Sequence, residues 1–151
     1  MIEIALLAGA VAAALAVGLF LRAREGKIRS VERSEAPTDS RLALLSAAGV
    51  GDGRPVLLHF SADWCGPCAA VRRVAGQVID RLEGTPVPPV EVELDIDEYP
   101  ALARELGVMS LPTTFVLDRD RVERFRVSGV PTAPDLEGAL TPLTRTPDSK
   151  S

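Results

Sequence analysis

Trp64-Cys65-Gly66-Pro67-Cys68 holds the only two cysteines of the chain, two residues apart. An apolar run, Val56-Leu57-Leu58-His59-Phe60, precedes it, and a stretch of helical character from Ala69 to Leu82 follows. The order is strand, turn, helix. The first cysteine is expected at the helix N-terminus, where unpaired backbone N–H groups and the positive end of the helix dipole stabilise a thiolate. The thiolate is the nucleophilic form of cysteine. A second cysteine one turn on is placed to resolve a mixed disulfide, so the pair carries the chemistry of thiol–disulfide exchange. The competing reading of a Cys-x-x-Cys is half of a zinc site. Zinc takes four ligands, and this chain offers two cysteines and one histidine, so redox chemistry without a metal is expected.

The chain has 151 residues, which suggests one domain with an appendage. A net charge of −4 gives no electrostatic case for nucleic acid.

The appendage is N-terminal. Ile4 to Leu21 is apolar throughout, and as a helix it would reach roughly 27 Å, close to the hydrocarbon thickness of a bilayer. A buried core helix would be apolar all round with no polar face, which makes it the weakest reading. A signal peptide opens with basic residues, whereas this chain opens Met1-Ile2-Glu3. A transmembrane anchor over residues 1–24 is therefore expected. Arg22, Arg24, Lys27, Arg29 and Arg33 follow the span and no Lys or Arg precedes it. That asymmetry puts the C-terminal side in the cytoplasm.

Residues 25–39 read as a linker, with Lys27 to Val31 as a possible short edge strand. Ser40 to Ala48 reads as a helix with Leu42, Leu44 and Leu45 inward, capped by Asp39 or Ser40 and ended by Gly49. Val71, Val74, Val78 and Leu82 recur at helical spacing. Val90 to Ile96 alternates apolar and acidic. Tyr99 to Leu106 is a short helix with Pro100 in its first turn and Gly107 past its end. Thr113 to Leu117 is a strand, and Arg121 to Val127 pairs with it as a hairpin. Pro134 to Leu143 closes the domain, which spans 40–144. The tail 145–151 is expected to be disordered.

From about Leu42 to Leu143 the chain resembles the thioredoxin family. The matching pieces are Trp64-Cys65-Gly66-Pro67-Cys68, the strand ending in Asp95-Ile96-Asp97, Gly107-Val108-Met109-Ser110-Leu111-Pro112-Thr113, and Gly129 after a final strand. The resemblance implies an α/β thioredoxin fold, a central mixed sheet with helices on both faces. It implies a cis-proline at Pro112, opposite the cysteines, with the backbone of Leu111 beside the disulfide for a substrate strand to pair with. It implies that Trp64 covers the cysteines and offers an apolar face to partners. Gly66 and Pro67 help set the reduction potential, and in the family this dipeptide belongs to reductants. Gly129 would let a substrate backbone approach where a side chain would obstruct it.

The chain departs from the family pattern at three informative places. Family members carry a buried Asp on the strand before the motif, paired with a Lys on the next strand. Here those places hold His59 and Glu93. One hypothesis is that His59 accepts the proton of Cys68 as Cys68 attacks, with Glu93 holding the imidazole; imidazoles suit this because they titrate near neutrality. The alternative is a core histidine satisfied by the backbone. Arg73 stands near the place of a family helix-kinking proline, and Ala69 near that of a basic residue after the second cysteine.

The expected function is reduction of protein disulfides through the Cys65/Cys68 dithiol, without a bound cofactor, on a membrane anchor facing the cytoplasm. Its partners would be disulfide-containing client proteins and a thioredoxin reductase or another dithiol donor. Two alternatives stand beside it. One is an extracytoplasmic tethered reductant of secreted proteins or apocytochromes. The other is a non-catalytic binding module, against which an intact pair of reactive thiols argues.

Overall fold

The strand Val56–Ser61 (β2) is buried at every position. A strand with no exposed face must be covered on both sides, and this one is. In the computed structural model, which describes residues 2–24, 26–31, 36–51 and 53–146, β2 lies inside a five-stranded sheet. Its neighbours are β3 (Val90–Asp95), parallel to it, and β4 (Thr113–Leu117), antiparallel. β5 (Glu123–Ser128) forms a hairpin with β4, and β1 (Arg29–Ser30) pairs antiparallel at the far edge. The order is β1-β5-β4-β2-β3, so β3 is the other edge.

Side chains alternate across a strand, and the sheet sorts them into two cores. Val56, Leu58 and Phe60, with Phe115 and Leu117, pack against α2 (Asp39–Ala47) and α4 (Pro100–Glu105) through Leu45, Leu102, Ala103 and Leu106. Leu57 and Val116 face the other way. They pack against α3 (Cys68–Leu82) and α5 (Ala133–Leu140) through Ala75, Val78, Leu82, Leu136 and Leu140. The mixed sheet with helices on both faces is thus the arrangement that the resemblance implies.

Element ends differ from the sequence reading where side chains capture backbone groups. Thr38, rather than Asp39 or Ser40, caps α2: its Oγ1 accepts from the Arg41 N–H at 3.2 Å. β5 begins at Glu123 because the Asp118 carboxylate accepts from the N–H groups of Asp120 and Val122 at 2.9 and 3.0 Å, folding 118–122 into a turn. Arg121 sits in that turn with φ 61°. α5 starts at Ala133, one residue before Pro134, because Thr132 caps it: its Oγ1 accepts from the Asp135 N–H and its hydroxyl donates to the Asp135 carboxylate. It ends at Leu140 in a 3₁₀ turn, Thr141–Thr144, rather than running to Leu143. β1 is the edge strand expected within Lys27 to Val31, two residues long. Residues 147–151 of the expected disordered tail and part of the linker lie outside the described residues.

The N-terminal apolar stretch forms α1 (Ile2–Arg24). Every described side chain on it, from Leu6 to Phe20, is exposed. Among the described residues, no helix is long and apolar enough to cross a membrane. Leu6 to Phe20 alone would span only about 22 Å as a helix.

Phe60 is fully buried and meets Phe115 edge-on, with ring centroids 6.1 Å apart. The Arg126 guanidinium covers the other ring, 4.7 Å from its centroid. Phe60→Ala is expected to cost about 3–5 kcal/mol, read as a fall in the urea midpoint.

Candidate active site

Cys65 and Cys68 are joined as a disulfide, with Cα atoms 5.5 Å apart. The helix starts at Cys68, so Cys65 stands in the turn ahead of it rather than in its first turn. That turn is held by backbone bonds: the Cys65 N–H donates to the Ala62 carbonyl at 3.0 Å, and the Cys68 N–H to the Cys65 carbonyl at 3.3 Å. The result is an asymmetric pair. Cys65 is partly exposed, whereas Cys68 is 1% exposed. A sulfur that must meet another protein and one that must only meet its neighbour are thereby distinguished by geometry.

The Leu111–Pro112 peptide bond is cis, as expected at this position. Pro67, Ser110, Leu111, Pro112, Ser128, Gly129 and Val130 line one groove of about 400 Å³. The motif turn, the cis-proline loop and the end of β5 are thus brought together, although they are far apart in the chain. The Gly129 N–H donates to the Pro112 carbonyl at 2.8 Å, and its φ of 91° lies where a side chain is strained. Gly129 is therefore favoured by its own backbone conformation. Among the described residues, the backbone of Leu111 takes part in no backbone hydrogen bond.

Trp64, on the motif turn, is 71% exposed and does not line the groove. Met109, which sequence reasoning passed over, is 93% exposed at the start of the cis-proline loop. Its neighbours in the chain are loop residues, so no periodicity marks it. Gly66 is exposed, and a methyl group there would meet nothing within 4 Å.

His59 is 1% exposed, on the face of the sheet that α3 covers. Its expected partner requires correction. Register sets His59 opposite Glu93, yet His59 Nε2 bonds the Glu91 carboxylate at 2.9 Å. Glu93 is occupied elsewhere: Arg72, one turn beyond Cys68 on α3, donates its Nε–H to both Glu93 oxygens at 2.7 and 2.9 Å. Glu91 and Glu93 are two apart on one strand and share a face. The alternation of Val90 to Ile96 signals both, and only the position of Arg72 tells them apart. Partial burial works to raise the Glu93 pKa. Hydrogen bonds from Ser61 and Arg72, and the charges of His59 and Arg72, outweigh it and hold the carboxyl below its ordinary value. Among the described residues, no group of three His, Cys, Asp or Glu side chains is placed to hold a metal ion.

This geometry agrees with what is found by comparison with other proteins. The family model described as Thioredoxin matches residues 47–141, more than half of the chain. The chain belongs to the thioredoxin family. It is 35% identical over 80 residues to a thioredoxin of Mycolicibacterium smegmatis, covering 53% of this chain and 70% of that one. To a thioredoxin-like protein of Synechocystis it is 37% identical over 87 residues, covering 57% and 78%. The solved structure of a mutant thioredoxin from Halobacterium salinarum superposes with a TM-score of 0.53 at 28% identity, over 61% of this chain and 76% of that one. As a thioredoxin-family protein with its Cys-x-x-Cys pair intact, it is a protein-disulfide oxidoreductase, acting on disulfide-containing targets with a reductant donor.

Because the Glu93 carboxyl is held below its ordinary value, its ion pair stabilises the fold above the unfolded-state pKa. That contribution is lost as pH falls through the folded-state value. Glu93→Gln is therefore expected to be less stable than wild type near neutral pH. The difference should narrow as the pH is lowered through the acidic range, as read by urea unfolding over a series of pH values.

Proposed function

We propose that this thioredoxin-family chain works as a reductant of protein disulfides, tethered to a membrane by α1 and facing the cytoplasm. The observation that carries the reductase reading is the asymmetric cysteine pair beside the cis-proline groove. In the reaction, the Cys65 thiolate attacks one sulfur of a client disulfide. A mixed disulfide forms and the first client thiolate leaves. Cys68 then attacks the Cys65 sulfur, the mixed disulfide breaks, and the second client thiolate leaves. Two electrons pass to the client, and the Cys65–Cys68 disulfide is the product. A dithiol donor, a thioredoxin reductase or an equivalent, reverses this by the same exchange.

The groove gives the client a place. A client strand laid across Leu111 would find a backbone N–H and C=O with no backbone partner among the described residues. Main-chain pairing of this kind supplies affinity with little sequence demand. Trp64 on the motif turn and Met109 on the cis-proline loop offer exposed apolar surface. The Gly66-Pro67 dipeptide supports the reducing direction through the family resemblance.

His59 is the base that takes the Cys68 proton in this reading. It is buried on the face covered by the helix that begins at Cys68. General-base assistance is worth about 10²–10⁴-fold. His59→Ala is expected to slow disulfide reduction at neutral pH by at least tenfold, in a steady-state assay on a protein disulfide. Turnover equal to wild type would remove His59 from the mechanism.

Two observations support the tether. The described side chains of α1, Leu6 to Phe20, are all apolar and exposed, and the apolar run in the sequence extends from Ile4 to Leu21, roughly 27 Å as a helix. The basic residues all follow the apolar span Ile4 to Leu21, beginning with Arg22 and Arg24 in the last turn of the helix, which favours a cytoplasmic domain. A tether raises the local concentration of membrane-bound clients without any new contact.

Two measurements test the reading. Cys65→Ser is expected to abolish reductase activity, and Cys68→Ser to accumulate client mixed disulfides on Cys65, visible on non-reducing gels. A tag at Ser151 is expected to resist protease added to spheroplasts until the membrane is lysed. Digestion from outside would reverse the orientation.

A further inference from the structure

His59 sits in a strip of polar groups that crosses the sheet beneath α3, and the strip is open at one end only. On β4, Thr114 is the direct partner of His59 in the ladder. It is 1% exposed, and its hydroxyl has no hydrogen-bond partner. On that flank the path stops inside the protein. On the other flank lies β3, the edge strand, where the Glu91 side chain is 29% exposed. Glu91 therefore touches both the buried imidazole, at 2.9 Å, and water.

The hydrogen bond also fixes which ring nitrogen does what. A carboxylate only accepts, so Nε2 carries the proton toward Glu91. In the neutral ring, Nδ1 is then the nitrogen left to accept one. The other charged groups around the imidazole are accounted for. Glu93 on β3 receives the Nε–H of Arg72 of α3 on both its oxygens, and its charge also acts on the imidazole opposite it. No other carboxylate is within hydrogen-bonding distance of His59 among the described residues.

We propose that Glu91 is a positioning residue through which the proton that Cys68 gives to His59 leaves the protein for solvent. The inference rests on the dithiol reading with His59 as base. The S–H bond of Cys68 breaks and an N–H bond forms at Nδ1. The new thiolate attacks the Cys65 sulfur and displaces the client thiolate, which takes a proton from solvent. The proton on Nε2 passes to the Glu91 carboxylate and from there to water. When the donor dithiol reduces the Cys65–Cys68 disulfide, the same path runs in reverse and reloads Cys68.

The test is the rate of the resolving step in the full-length protein in detergent micelles. The reduced protein is mixed with a protein disulfide, quenched with acid, alkylated, and the Cys65 mixed disulfide counted over time from about pH 6 to pH 8. Glu91→Gln keeps an acceptor for Nε2–H but removes the proton carrier. It is expected to slow resolution about tenfold or more, to accumulate the mixed disulfide and to flatten the pH profile. Alkylation of Cys65 by iodoacetamide should stay at the wild-type rate. Glu91→Asp should restore part of the rate and the profile. Resolution at the wild-type rate in Glu91→Gln, with His59→Ala slow, would overturn the role of Glu91 alone. Wild-type resolution in both variants would also remove the His59 reading on which it rests. Equal slowing in Glu91→Gln and Glu91→Asp with an unchanged pH profile would mark a packing role and overturn the proposal.

Discussion

β2 is enclosed on both faces, and the rest of the domain follows from that constraint. Each residue from Val56 to Ser61 must find a partner inside the protein. Apolar residues do so by joining one of two cores, sorted by their parity along the strand. His59 cannot be satisfied that way. A buried polar group without a partner costs about 1–3 kcal/mol, so the strand requires a polar neighbour within reach of the imidazole. The parallel partner β3 supplies it, and because β3 is an edge strand, Glu91 can meet the imidazole without leaving water entirely.

The same strand delivers the reactive motif. Its C-terminal end, at Ser61, leads into the turn that holds Cys65, and α3 returns across the sheet with Cys68 as its first residue. A helix packed on the sheet buries the sheet-facing side of its first turn, which accounts for the burial of Cys68 while Cys65, ahead of the helix, stays partly exposed. The division of labour between an attacking and a resolving sulfur is thus a consequence of where the helix begins. The cis-proline loop and Gly129 are joined by one backbone hydrogen bond, so the groove before the cysteines has a rigid far wall.

Most of this was legible in the sequence, for identifiable reasons. The apolar run through Val56 to Phe60, the stripe Val71, Val74, Val78 and Leu82, and the Leu111-Pro112-Thr113 segment each combine a period with a breaker, and each element formed where expected. Capping was less legible. Thr38, Asp39 and Ser40 are all good caps, and only the backbone geometry selects Thr38. The partner of His59 was not legible at all. Register alone points to Glu93, and a directly opposite residue is the natural first guess. The outcome depends on a long side chain from another element: Arg72 reaches across from α3, takes both oxygens of Glu93, and leaves the imidazole to Glu91. Pairing within one strand pair can be read from alternation, but competition from a third element cannot.

The exchange of an acid–base pair for a base–acid pair has an electrostatic logic. Creating a thiolate at Cys68 places a charge where burial makes an unpaired charge expensive, by several kcal/mol. If the base is a carboxylate, it becomes neutral as it accepts the proton, and the compensating cation must stand elsewhere. If the base is an imidazole, the cation appears on the group that accepted the proton. The new thiolate and the new imidazolium then form together and attract each other, while Glu91 stabilises the imidazolium from its other side. At each moment the buried atoms carry opposite charges rather than a single one. A resolving cysteine as deeply buried as Cys68 gains most from that arrangement, because its thiolate has least access to water.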